Sequence, residues 1–179
     1  MENVFMKNKD HSVFSWENLG NVKEGRGDLG ESMPVLVYRL MQFTMLDVLT
    51  KEHGKEKANH YIREAGRLAG VEFTKNVMGD LSVPLNKFVA DLQKVLMDLK
   101  IGILRIETVD ENTGEIIMTV AEDLDCSGLP ITGENVCYYD EGFIAGILQV
   151  YTGKPYTAQE IDCWASGDRV CRFKCTVEK

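Results

Sequence analysis

Residues 137–175 read CYYDEGFIAGILQVYTGKPYTAQEIDCWASGDRVCRFKC. Four of the chain's five cysteines fall in this stretch, and Cys126 stands just upstream. Cys163 and Cys171 flank Ser166-Gly167-Asp168, where Gly-Asp signals a turn between runs rich in apolar, β-branched and aromatic residues. That pattern predicts a β-hairpin. With the loop confined to residues 166–168, Cys163 lies opposite Cys171, and Cβ atoms of such a pair are about 4.5–5.5 Å apart. Two thiolates at that separation can share one ion. Glu160, three residues before Cys163, and Cys137, on a helix upstream, complete a four-ligand set suited to a borderline-soft metal such as zinc.

The same residues admit two other readings. Free cysteine is often a small buried apolar residue, and a disulfide across the hairpin is within reach. The metal reading also carries a geometric condition. Glu160 and Cys163 are an odd number apart and face opposite ways on a regular strand. It therefore requires a bulge, or Glu160 in the loop before the strand. Spacing alone leaves metal, core and disulfide open.

Working outward, residues 101–107 and 114–120 read as two antiparallel strands joined around Asp110-Glu111-Asn112-Thr113. A helix over about 136–151 carries Cys137, with Gly142 and Gly146 on a small-residue face. Three helices are expected before the strands. The first runs from Pro34 to Gly54, with Ser32 as N-cap. Its apolar surface, Val37, Leu40, Met41, Met45 and Val48 with Val35, Leu36 and Phe43 beyond, is wide enough to predict burial on two sides, the core and a second copy. The second spans about 55–77, where Gly66 and Gly70, one turn apart, admit a close backbone. The third, about 84–99, shows a clear i, i+3, i+4, i+7 stripe. Together these predict one α+β domain over 34–179 with helices on a four-stranded antiparallel sheet, preceded by an arm at 1–33. In that arm Gly25-Arg26-Gly27-Asp28-Leu29-Gly30 lacks the lysine of a phosphate-binding loop.

A chain of 179 residues suits one domain, and 44% hydrophobic with 27% charged residues describes a globular protein. The net charge of −8 opposes non-specific binding to nucleic acid or to anionic membranes. The N-terminus lacks the apolar core of a signal peptide, which points to the cytoplasm and to reduced cysteines. Catalytic groups are scarce. His11, His53 and His60 all lie in the N-terminal third, far in sequence from the cysteines. Asp140 and Glu141, adjacent on a helix, point about 100° apart and do not converge on one atom. No nucleophile–base motif or nucleotide loop is present. Met41, Met45, Phe73, Phe88, Leu92 and Met118 are candidates to line an apolar ligand cavity between the three helices and the sheet; the alternative is that they fill a core.

The last third resembles the 4-vinyl-reductase domain family. The resemblance rests on Asp125-Cys126-Ser127-Gly128, Cys137, Glu141-Gly142, Gly146, Gly153, Glu160, Cys163, Gly167-Asp168 and Cys171-x-Phe173. That family includes sensory domains of aromatic-responsive bacterial regulators, proteins linked to bacteriochlorophyll synthesis, and predicted hydrocarbon-binding proteins. Its fold is related to subunits of the TRAPP vesicle-tethering complex and to the ligand-binding domain of the NO-signalling superfold. The resemblance implies a structural zinc on Cys137, Glu160, Cys163 and Cys171, with Cys126 or Cys175 able to substitute for Glu160. It also implies a small apolar or aromatic ligand. Phenol-sensing relatives use a His and a Trp at the ligand; here Trp occurs only at 16 and 164, and Ile116 falls near that Trp position, so a larger or more apolar ligand than phenol is expected. The implied function is a non-catalytic sensor or carrier, forming a homodimer and passing any signal to a partner. The alternatives are an enzyme or accessory protein of tetrapyrrole vinyl reduction, for which no nicotinamide or flavin motif is present, and a dimeric interaction scaffold.

Overall fold

The computed structural model of the chain describes residues 14–178, so His11 lies outside the described residues. The chain divides into two compact units, Met1–Pro34 and Val35–Lys179. In the first, a 3-10 turn at Trp16–Leu19 precedes a short helix α1 (Val22–Gly25), whose Asn21 side chain accepts from the Glu24 amide.

The second unit contains α2 (Val35–His53), α3 (Lys55–Val77), α4 (Leu85–Asp98), β1 (Ile103–Val109), β2 (Ile116–Ala121), α5 (Tyr138–Thr152), β3 (Tyr156–Asp162) and β4 (Cys171–Val177). The strands form one antiparallel sheet in the order β1-β2-β4-β3. β1 and β2 join through a turn in which Asp110 accepts from the amides of Asn112 and Thr113, with Gly114 at φ +76°. Alternate sheet residues Leu104, Met118, Val120 and Phe173 are buried together with Leu92 and Leu96 of α4 and Ile144, Ile147 and Leu148 of α5. Period-2 burial on the strands and a 3.6-residue stripe on α4 are what make this layer arrangement close.

α5 is the central helix, apolar on most of its surface, and it packs on α3 with the two backbones in contact. A Cβ on Gly142 would stand 1.8 Å from the Arg63 carbonyl oxygen, and one on Gly66 2.0 Å from that of Tyr139. Gly70 and Gly146 complete the seam in the same way. The small residues expected to admit a second backbone on each helix thus meet one another.

α2 differs from expectation. No residue of it is buried, and Leu36, Met41 and Met45 are 68%, 61% and 53% exposed. It is tied down by polar contacts. Tyr38 donates to Asp125 Oδ1 at 2.6 Å, and Arg39 donates to the carbonyls of Leu124 and Ser127, both at 2.9 Å. Periodicity marks an apolar face but does not say what covers it.

Candidate metal centre and the cavity beside it

Four chain segments bring four thiols together. Cys126 lies in the loop after β2, Cys137 immediately before α5, Cys163 just past β3, and Cys171 opens β4. Asp123 shapes the first segment: its Oδ1 accepts from the amides of Asp125 (2.8 Å) and Cys126 (3.1 Å), which turns the loop inward. The β3–β4 loop shapes the third. It spans residues 163–170 and is longer than the three-residue turn predicted, with a 3-10 turn at Trp164–Ser166 and Gly167 at φ +115°. Ser166 Oγ donates to the Cys163 carbonyl at 2.8 Å and accepts from the Cys163 amide at 3.0 Å, fixing that residue's backbone.

All four cysteines are essentially sealed from solvent, and their sulfurs lie within 4.8 Å of one another. Cys137 Sγ is 3.8 Å from both Cys163 and Cys171, and Cys126 Sγ is 3.0 Å from Cys171. With a zinc–sulfur distance of about 2.3 Å, the edge of a tetrahedral four-sulfur site is about 3.8 Å. Two of these three separations match that edge. All five cysteines are unbridged thiols. Cys163 is held well below the ordinary thiol range by hydrogen bonds from Cys126, Cys137 and Cys171, while Cys137 is pushed far up, first by its contact with Cys126. Four thiols converging on one point are a donor set suited to a soft cation.

Cys137, Cys163 and Cys171 of the expected ligand set come together, and the fourth sulfur is that of Cys126, one of the two thiols the sequence reading holds as alternatives to Glu160. Of the two ways that reading left open, the bulge is present: the β3–β4 register shifts between Glu160 and Asp162, so Glu160 and Cys163 both turn inward. Glu160 stands beside the group. Its Oε2 accepts from the Cys137 amide at 3.1 Å and so props the start of α5, while its Oε1 is buried with no hydrogen-bond partner among the described residues. Burial pushes its carboxyl up to about 8. Its own amide donates to Glu141 Oε1 at 2.8 Å, and Glu141 Oε2 in turn takes Arg63 Nε at 2.8 Å. Cys175 lies deeper in the sheet, paired with Ile116 and Ala158, and outside the thiol group.

Against the thiol group sits a patch of buried acid. Ligand atoms of Asp123, Cys137 and Asp140 also lie within 4.8 Å of one another. Burial, and then the charges of Asp123 and Asp125, hold Asp140 well above the usual carboxylate range; burial and then Asp123 raise Asp125 to about 6. Asp140 and Glu141 diverge as their helical spacing requires, one toward a void and the other toward Arg63.

That void is about 40 Å³, walled by α4, the sheet and α5, with Leu92, Leu104, Met118, Val120, Phe143 and Ile147 among its lining and Asp123 and Asp140 as its polar groups. By the measure of roughly 10–15 Å³ per enclosed water, it has room for about three. Of the six residues expected to line a cavity, Leu92 and Met118 do so. Phe88 stacks on Tyr151 with ring centres 4.0 Å apart, and Phe73 packs on Phe143 at 5.2 Å, both as core. Met41 and Met45 lie on the exposed face of α2 and do not reach the void, because that helix flanks the core without entering it. His53 meets the edge of the Tyr61 ring at the exposed end of α2.

The stretch that holds this centre has a known pattern. Residues 116–177 match the family model of the V4R domain. The matched segment contains β2, α5, β3, β4 and all five cysteines. Two uncharacterised proteins of Methanocaldococcus jannaschii are similar along most of their length, one 26% identical over 90% of this chain and 86% of its own, the other 27% identical over 82% and 80%. Among solved structures, a vinyl-4-reductase family protein from the same organism superposes with a TM-score of 0.61 at 15% identity, covering 94% of this chain and 99% of that one. The phenol-responsive sensory domain of the transcription activator PoxR, crystallised with phenol, gives 0.61 at 16% identity over 92% of both chains. A trafficking protein particle complex subunit 3 from Naegleria fowleri, covalently bound to palmitic acid, gives 0.59 at 13% identity over 82% and 98%. At these identities the likeness is one of fold. The matched segment is the cysteine-bearing part of that fold, and α2, α3, α4 and β1 build the rest of it. No helix among the described residues is long and apolar enough to cross a membrane.

Proposed function

We propose that this V4R protein is a small-ligand-binding sensor or carrier module whose fold is clamped by a zinc ion on Cys126, Cys137, Cys163 and Cys171. The observation that carries the ligand reading is the apolar void between α4, the sheet and α5. A phenol-bound sensory domain of the same fold supports it. The void lies far below the roughly 300–1,000 Å³ of drug-sized ligand sites, which favours a molecule of a few heavy atoms over a tetrapyrrole and makes the ligand smaller than the sequence reading anticipated. Four thiolates would complete a zinc's coordination and leave no position for water, so the metal in this reading is structural and supplies folding free energy. Its place is to hold the start of α5 and the β3–β4 hairpin to the loop after β2.

Xenon provides the simplest test of the void, because it enters dry apolar cavities. Methyl resonances of Leu92, Met118 and Ile147 should shift under xenon pressure, and Leu92→Phe should abolish those shifts while leaving the metal content unchanged. A wild-type protein whose methyls ignore xenon would contradict the ligand reading.

We further propose that a second copy covers α2 and that the protein is a homodimer. The helix carries exposed apolar side chains along its length from Val35 to Val48, a surface that monomers rarely leave open. Sedimentation at micromolar concentration should give a dimer, and the double substitution Leu36→Glu with Met41→Glu should give a folded monomer. A monomeric wild type would refute the assembly.

A further inference from the structure

The void has one chemical asymmetry. Its walls are apolar except at Asp123 and Asp140, both on the side nearest Cys137. Asp140 Oδ2 is shut off from solvent and has no hydrogen-bond partner among the described residues. A buried acceptor without a donor is costly and is usually matched by something. Asp123 is fixed in place, since its Oδ1 holds the amides of Asp125 and Cys126 at 2.8 and 3.1 Å. Carboxylate oxygens of the two residues lie within 4.8 Å of each other. One ammonium nitrogen making two hydrogen bonds of about 2.9 Å along tetrahedral N–H directions spans about 4.7 Å, so a single head group reaches both.

We infer that the ligand of this void is a short apolar molecule with a primary-amine head, which donates to Asp140 and Asp123 while its hydrocarbon part fills the space between Leu92, Met118 and Ile147. This rests on the reading above that the void takes a ligand. The head-group chemistry follows from counting donors. An ammonium has three and satisfies both acids at once. A hydroxyl has one and satisfies a single acid. A carboxylate head brings a third acid beside Asp123 and Asp140 and is rejected. Because Asp123 also holds the Cys126 amide, the bound head stands one hydrogen-bonded residue away from a thiol of the candidate metal centre, so occupancy is felt there without contact to the metal.

The test uses four probes on the full-length protein as purified with its metal: xenon, n-propylamine, n-propanol and propionate. Binding is read from methyl and Cys126 amide resonances at pH 7. Propylamine is expected to bind about tenfold or more tightly than propanol, as hydrogen bonds between charged groups outweigh neutral ones, and propionate is expected not to bind. Asp140→Asn should erase the preference for propylamine and leave propanol and xenon unaffected. Propanol binding as well as propylamine, or propionate entering at all, would overturn the inference while xenon binding keeps the ligand reading intact. If none of the four enters, the ligand reading and the inference fall together. Should Asp140→Asn fail to fold, the wild-type ranking of the three head groups decides by itself.

Discussion

Cys126→Ser is expected to yield a protein without stoichiometric zinc and without a cooperative unfolding transition, whereas Glu160→Gln keeps its metal and nearly all its stability. Structural zinc in small domains contributes about 10–16 kcal/mol at neutral pH. Whole domains are stable by only about 5–15 kcal/mol. Loss of the bound zinc is therefore comparable with the net stability of the fold. The contrast with Glu160 comes from geometry. Its Oε2 receives the Cys137 amide at 3.1 Å, and the amide oxygen of Gln accepts the same bond. The cost of that change should stay near 1 kcal/mol. Metal analysis and thermal denaturation of both variants separate the two ligand sets. Zinc lost from Glu160→Gln and kept by Cys126→Ser would restore the carboxylate as fourth ligand.

The second large effect is expected at the seam of α3 and α5. Gly142→Val should destabilise the protein by more than the roughly 1–3 kcal/mol that ordinary overpacking costs. In most cores a crowded side chain moves aside. Here the first added carbon would meet the Arg63 carbonyl oxygen at 1.8 Å and the Arg67 amide nitrogen at 2.6 Å, so the helices themselves must separate. α5 begins beside Cys137, and its displacement should also weaken the metal centre. Gly79→Ala is the control. Its Cβ would meet nothing within 4 Å, and its φ is not in the left-handed region, so a change within about 0.5 kcal/mol is expected. Urea titrations of the two variants measure the difference. A Gly142→Val protein as stable as wild type would show that the two backbones are not in contact.

The parts of this fold that depend on local pattern were legible from residues alone. The helices and strands follow from apolar period, and α3 and α5 announce their contact through Gly66, Gly70, Gly142 and Gly146. Parity left two ways for Glu160 and Cys163 to share a face, a bulge or Glu160 in the loop before the strand, and the chain takes the bulge. What was not legible depends on long-range paths. Cys126 stood beside Cys175 as an alternative to Glu160, and the choice among them rests on Asp123 turning its loop inward, which no spacing rule encodes. Met41 and Met45 have the right period for a cavity wall, but α2 offers them to the outside. The void owes its size to how Phe143, Met118 and Leu104 fill the space, and its acidic end to two residues brought together from β2's exit and α5's first turn.

Zinc K-edge X-ray absorption on protein purified without chelator tests the central claim most directly. The account predicts one zinc per chain with four sulfur neighbours at about 2.3 Å and no nitrogen or oxygen in the shell. A shell of three sulfurs and one oxygen near 2.0–2.2 Å, or a sample with no zinc edge, would contradict it.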